Sequence, residues 1–112
     1  MQRIWEAWNQ KRYEKELAAL PLEDHKALVL AMEAYRQFRE SGFTHKHYPK
    51  GVEMVTDAGN WQGRCLFFSL GLFGEVEILV VVLVYKKETQ ELPTQILRLA
   101  QDRKRDYLNE TK

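Results

Sequence analysis

The sequence predicts an α+β domain: an N-terminal helical hairpin, an antiparallel sheet of three or four strands, and a C-terminal helix. Three observations predict it. Before Gly42 the apolar residues recur at helical spacing; after it they gather into strand-like runs divided by Gly-containing turns; beyond Pro93 the helical period returns. With 112 residues, 45% of them apolar and 29% charged, the chain fits one packed domain spanning 1–112. It shows no repeat, low-complexity tract or linker.

The aromatic-rich "RIWEAW" at 3–8 reads as a short strand preceding the hairpin, or alternatively as the first turns of a longer helix. On the strand reading, Asn9 caps a helix over "QKRYEKELAAL". Pro21 breaks it. "LEDHKALVLAMEAYRQFRESG" follows as a second helix, with acids in its first turn, Leu28, Met32 and Tyr35 on one stripe, and Ser41-Gly42 as its stop. "THKHYPK" is then a polar loop. "GVEMVT" is a short strand, "DAGN" a turn, "RCLFFSL" a strand, "GLFGE" a second turn, and "VEILVVVLVY" a strand apolar on both faces, which places it inside the sheet. Pro93 opens the last helix, "TQILRLAQDRKRDYL", with Ile96, Leu97, Ala100 and Leu108 on one stripe.

The lone Cys65, flanked by apolar residues, predicts a buried thiol in a reducing compartment, so the expected location is cytoplasmic. The N-terminus has no apolar export region, and "ILVVVLVY" falls far short of the roughly 20 apolar residues a membrane span needs. No membrane partner is expected. Seventeen basic residues against sixteen acidic ones give a net charge of +1, so any argument for nucleic-acid binding rests on placement. Cations gather in "HKHYPK" at 45–50, at Arg64, at Lys86 and Lys87, and in "DRKR" at 102–105.

Several of these residues are candidates for phosphate chemistry. Arg64 opens a strand and shares a face with Leu66 and Phe68, where a guanidinium fork could hold a phosphate; the bland alternative is an ion pair with a nearby acid. Lys87 and Tyr85 share a side of the following strand, one to hold phosphate and the other to stack on a base or donate a proton, whereas Lys86 points away into solvent. His45 and His47 are candidate acids or bases, or else plain surface residues. They could also bind a metal, but no third ligand is apparent from the spacing, and neither a metal nor another cofactor is expected. Lys46, Lys50, Arg103 and Tyr107 read on their own as a solvated surface. Trp61 could stack on a base or pack on the core. His25 reads as structural.

The element order, together with "YKKETQELP" at 85–93 and the helix carrying Ile96, Ala100, Arg103 and "DYL" at 106–108, resembles the RelE/HigB toxin superfamily in its phage-derived HigB-like branch. "GVEMV" and "GRCLFF" resemble that family's preceding strands. Three departures stand out: Val55 where the family commonly has Arg, Glu88 where it has a second Lys, and a chain less basic than is usual. The resemblance implies a toxin of a bacterial or phage toxin–antitoxin pair that cuts mRNA at the ribosome without a metal, partnered by a small helix-turn-helix antitoxin. Arg64, Lys87, Tyr85, His45 and His47 would then be catalytic, and Lys46, Lys50, Arg103 and Tyr107 would contact RNA. The departures favour a second reading, a RelE-fold protein without nuclease activity, either gyrase-inhibiting like the ParE branch or an inactive phage-derived relative. An unrelated small interaction domain is the third.

Overall fold

The computed structural model describes residues 1–39, 43–57 and 59–110. In chain order they form β1 (Gln2–Ala7), α1 (Gln10–Ala18), α2 (Leu22–Phe38), β2 (Phe43–His47), a 3-10 turn (Pro49–Gly51), β3 (Glu53–Asp57), β4 (Gly63–Phe73), β5 (Val76–Lys86) and α3 (Thr94–Glu110). The strands make one sheet in the order β1-β5-β4-β3-β2. α1 and α2 cover one face of it and α3 the other.

The α+β class, the helical hairpin and the C-terminal helix agree with the sequence reading; the sheet does not. It has five strands, and it is mixed, because β1 runs parallel to β5 while the other pairs are antiparallel. The extra strand, β2, lies in what reads as the polar loop "THKHYPK". An edge strand needs only one face on the core, and His45 supplies that face: its ring meets Tyr35 edge-on at 5.0 Å and stacks over Phe67 at 6.1 Å. Imidazole counts as polar in a sequence pattern but packs here as an aromatic. β4 also runs through most of "GLFGE", leaving a two-residue turn in which Gly74 takes φ +68°, a conformation that glycine adopts without the steric cost of a Cβ.

Local chemistry accounts for the helices. The Asn9 side chain accepts from the Arg12 N–H at 3.0 Å and caps α1, an interaction worth about 1 kcal/mol. In the first turn of α2, Asp24 is buried and accepts from the Gln62 N–H at 2.7 Å, tying the helix to the segment that leads into β4. α2 ends at Arg39, whose left-handed backbone sends its N–H back to the Tyr35 carbonyl; Ser41 and Gly42 lie outside the described residues.

β5 is apolar on both faces because it is an interior strand. Val80 and Val82 pack with Leu66, Phe68 and Ala100 on the α3 side, while Leu79, Val81 and Val84 pack with α1 and α2. Each such side chain contributes about 1.5–3 kcal/mol by leaving water. Cys65 is fully buried among them, and that burial raises its thiol pKa, with Glu16 adding to the effect.

Candidate functional site

Where the strands β3, β4 and β5 reach the edge of α3's cover, their α3-side residues line an open cleft of about 530 Å³. Arg64 of β4 lies directly opposite Tyr85 of β5 in the sheet register. Met54 and Thr56 of β3 and Lys46 of β2 extend the floor, and Tyr48, Lys87 and the segment 89–92 form the walls. Among the described residues the lining cations are Lys46, Arg64 and Lys87, and the lining carboxylates Asp57 and Glu91. The Asp57 carboxylate accepts from the Gly59 N–H at 3.2 Å.

Arg64 is held by backbone rather than by an acid. Its Nη1 donates to the carbonyls of Trp61 at 2.9 Å and Gly63 at 2.8 Å. Among the described residues it forms no ion pair, and its Nε and Nη2 donors are unengaged, so one edge of the fork remains for a ligand. The glycine before it sits in crowded surroundings: a Cβ on Gly63 would come within 3.1 Å of the Asp24 carbonyl and 3.2 Å of both Leu20 and Leu28, so those neighbours would have to give by a few tenths of an ångström. Lys87 is fixed at the backbone, where its N–H donates to the Gln62 carbonyl at 2.7 Å, and its side chain enters the cleft. Lys86 is exposed and outside it.

Tyr85 is half-buried, and burial pushes its hydroxyl up to about 12, with Tyr48 adding to the rise and Arg64 opposing it. It is therefore a hydrogen-bond or proton donor at neutral pH. Burial likewise pushes Tyr13 and Tyr35 up to about 12. A tyrosine whose folded pKa exceeds the unfolded value near 10 stabilises the fold fully below pH 10 and loses that contribution as the pH rises towards 12. Tyrosinate absorbance of the native protein is expected to lag behind that of the urea-unfolded chain, with stability falling across this interval; superimposable titration curves would contradict the burial of these rings.

The structure brings together Arg64, Lys87, Tyr85 and Lys46 of the residues singled out in the sequence, with Trp61 in an adjoining hollow, and it separates the other candidates from them. His45 and His47 are on the opposite face of β2 from Lys46, with the His45 ring against Tyr35 of α2, because alternate residues of a strand point to opposite sides. They do not support the cleft. Nε2 of His45 lies 2.8 Å from Oε1 of Glu53, and Nδ1 of His47 lies 3.6 Å from the same oxygen. The third metal-compatible ligand that spacing does not reveal is thus present on the neighbouring strand.

Arg103 lies away from the cleft. It is 6% exposed, and its Nη1 donates to Glu16 at 2.9 Å and to the Val82 carbonyl at 2.8 Å, with the guanidinium over the Trp8 ring, so it ties α3 to α1 and β5 inside the fold. Tyr107 packs edge-on against Phe68 and donates to Glu6 at 3.1 Å, outside the cleft lining. Lys50 sits in the 3-10 turn, where its carbonyl accepts from Lys104 at 2.6 Å, and borders a separate hollow beside α3. Trp61 is 44% exposed and lines a hollow of about 460 Å³ adjoining the cleft, together with Arg64, Lys87 and Glu88. Val55 is fully buried against Tyr35, Phe67 and Leu79, so its lack of charge takes nothing from the cleft.

Several cleft residues escaped the sequence reading as site members, among them the carboxylates Asp57 and Glu91 and the pair Tyr48 and Thr56. Tyr48 and Thr56 carry no motif, but the alternation Lys46, Tyr48 and the pairing of β2 with β3 put them on the same face as Met54. Among the described residues no helix is long and apolar enough to cross a membrane. Fold and site together define a small mixed-sheet α+β domain with a cationic, aromatic cleft at one end of its sheet. Compared with known proteins, the chain matches no family model and no curated protein.

Proposed function

We propose that the chain is a RelE/HigB-type toxin of a bacterial or phage toxin–antitoxin pair, a cytoplasmic endonuclease that cuts mRNA at the ribosome without a metal and is restrained by a small helix-turn-helix antitoxin. The observation that carries this reading is the convergence of Arg64, Lys87 and Tyr85 on one cleft, with the Arg64 fork held by carbonyls rather than neutralised by an acid. The resemblance of "YKKETQELP" and its following helix supplies the reaction class.

In that reaction the ribose 2′-oxygen attacks the adjacent phosphorus as its proton leaves, the bond to the 5′-oxygen breaks, and that oxygen takes up a proton. Arg64 and Lys87 hold the phosphate and offset the charge that gathers on its oxygens in the transition state. Tyr85, protonated at neutral pH, donates to the departing 5′-oxygen. Lys46 tracks the backbone on the far side, and Tyr48 and Trp61 offer rings for unstacked bases. With the histidines on the other face, the carboxylates available to accept the 2′-proton are Asp57 and Glu91.

A second reading, the same fold without cleavage, draws on two observations: Glu88 beside Arg64 and Lys87 places a negative charge next to the phosphate cradle, and among the described residues no imidazole lines the cleft. Inducing the protein in a bacterial host separates the two. On the nuclease reading, growth and translation stop and cellular messages are broken. Intact messages with DNA replication arrested would overturn it in favour of a gyrase target.

A further inference from the structure

We propose that His45, His47 and Glu53 form a binding site for a borderline divalent cation, with Zn2+ the best-fitting ion, on the face of the sheet opposite the cleft. The donor atoms of the three side chains all lie within 4.8 Å of one another. His47 is register partner to Glu53 across the β2–β3 pair, and His45 is two residues along β2 on the same face, so the two imidazoles flank the carboxylate. The tetrahedron defined by zinc–nitrogen and zinc–oxygen bonds of about 2.0–2.2 Å has edges of about 3.3–3.6 Å. The His47–Glu53 separation of 3.6 Å matches that edge, and the His45–Glu53 hydrogen bond of 2.8 Å must open by about half an ångström to admit the ion.

The surroundings favour a cation. The Glu53 side chain is 12% exposed, and among the described residues its ionic partners are the two histidines, with no Lys or Arg paired to it. A largely buried carboxylate gains from a permanent positive charge. The His45 ring is held between Tyr35 and Phe67, so one ligand is fixed before the ion arrives. The His47 side chain is 71% exposed, which leaves a path for the ion and a fourth position for water. Two nitrogens and one oxygen suit Zn2+, Ni2+, Co2+ or Cu2+ rather than Mg2+ or Ca2+, which take oxygen ligands. Binding would clamp the edge strand β2 onto β3. The proposal rests on this geometry alone and is independent of the nuclease reading.

Calorimetric titration of the tag-free full chain with Zn2+ alone, in a buffer that does not chelate, tests it. Expected is saturable binding of about one equivalent, with a rise in the thermal midpoint that a chelator reverses. Because His47 is exposed, H47A keeps the fold, verified by circular dichroism, and should weaken binding by at least about ten-fold, a loss that even altered outer-shell partners can cause. H25A should leave it unchanged. Absence of saturable binding to the wild-type protein, or equal affinity in H47A, would overturn the site.

Discussion

Replacing Arg103 with methionine is expected to destabilise the fold by about 3–5 kcal/mol, read as a lowered urea midpoint. The charge sits on α3, and its partners sit on three other segments: Glu16 on α1, the Val82 carbonyl on β5, and the Trp8 ring, 4.6 Å beneath the guanidinium. The Glu16 carboxylate is itself 19% exposed and spends its second oxygen on the Val84 N–H at 3.0 Å. Methionine fills most of the volume but leaves this carboxylate without its cation and the Val82 carbonyl without its donor, and those orphaned groups account for the cost. Replacing Glu16 by leucine as well removes the orphaned charge but strands the Val84 N–H, so the double variant should recover only part of the loss. If Arg103 were a surface RNA contact, R103M would leave the urea midpoint within about 0.5 kcal/mol of wild type.

The second large effect is expected at Arg64, on activity and not on stability. R64A should relieve toxicity and lower message cleavage by about 10²–10³-fold, the scale set by losing one donor aimed at developing negative charge. Its cost to folding should stay within about 1 kcal/mol, because the guanidinium lies at a strand end and bonds only two carbonyls. R64K keeps the charge without the fork and should recover a minor part of the activity. Growth curves of induced cells, paired with urea midpoints of the purified variants, separate the two effects. Full toxicity in R64A would remove this residue from the site.

Much of this arrangement is legible in the sequence, and the failures have physical causes. Strand alternation at the end of β5 separates Lys87 and Tyr85 from Lys86 in the sequence as in the cleft lining, because alternation is local and survives folding. The same rule applied to "THKHYPK" separates Lys46 and Tyr48 from His45 and His47, but only once the segment is known to be a strand. That depends on Tyr35 and Phe67, remote in sequence, accepting an imidazole between them. Glu53 as a third metal-compatible ligand depends on the β2–β3 register, which no spacing within one segment encodes. The parallel pairing of β1 with β5 is likewise a tertiary outcome: Trp5 packs against Tyr35 and Phe67 and donates to the Met32 carbonyl at 3.0 Å, which docks β1 beneath α2. For Arg103 the signal was present. It falls on the helix stripe Ile96, Ala100, Arg103, Tyr107, at the spacing of a buried face, but the run "RKR" reads as solvated charge.

The proposed activity is cleavage of mRNA on the ribosome by the Arg64–Lys87–Tyr85 cleft. The most direct measurement is primer extension on a defined message after in vitro translation with the wild-type protein, with R64A, and with ribosomes omitted. Discrete breaks are expected with the wild-type protein, requiring ribosomes and disappearing with R64A. Full-length message throughout, under conditions where the protein is folded and free of antitoxin, would contradict it.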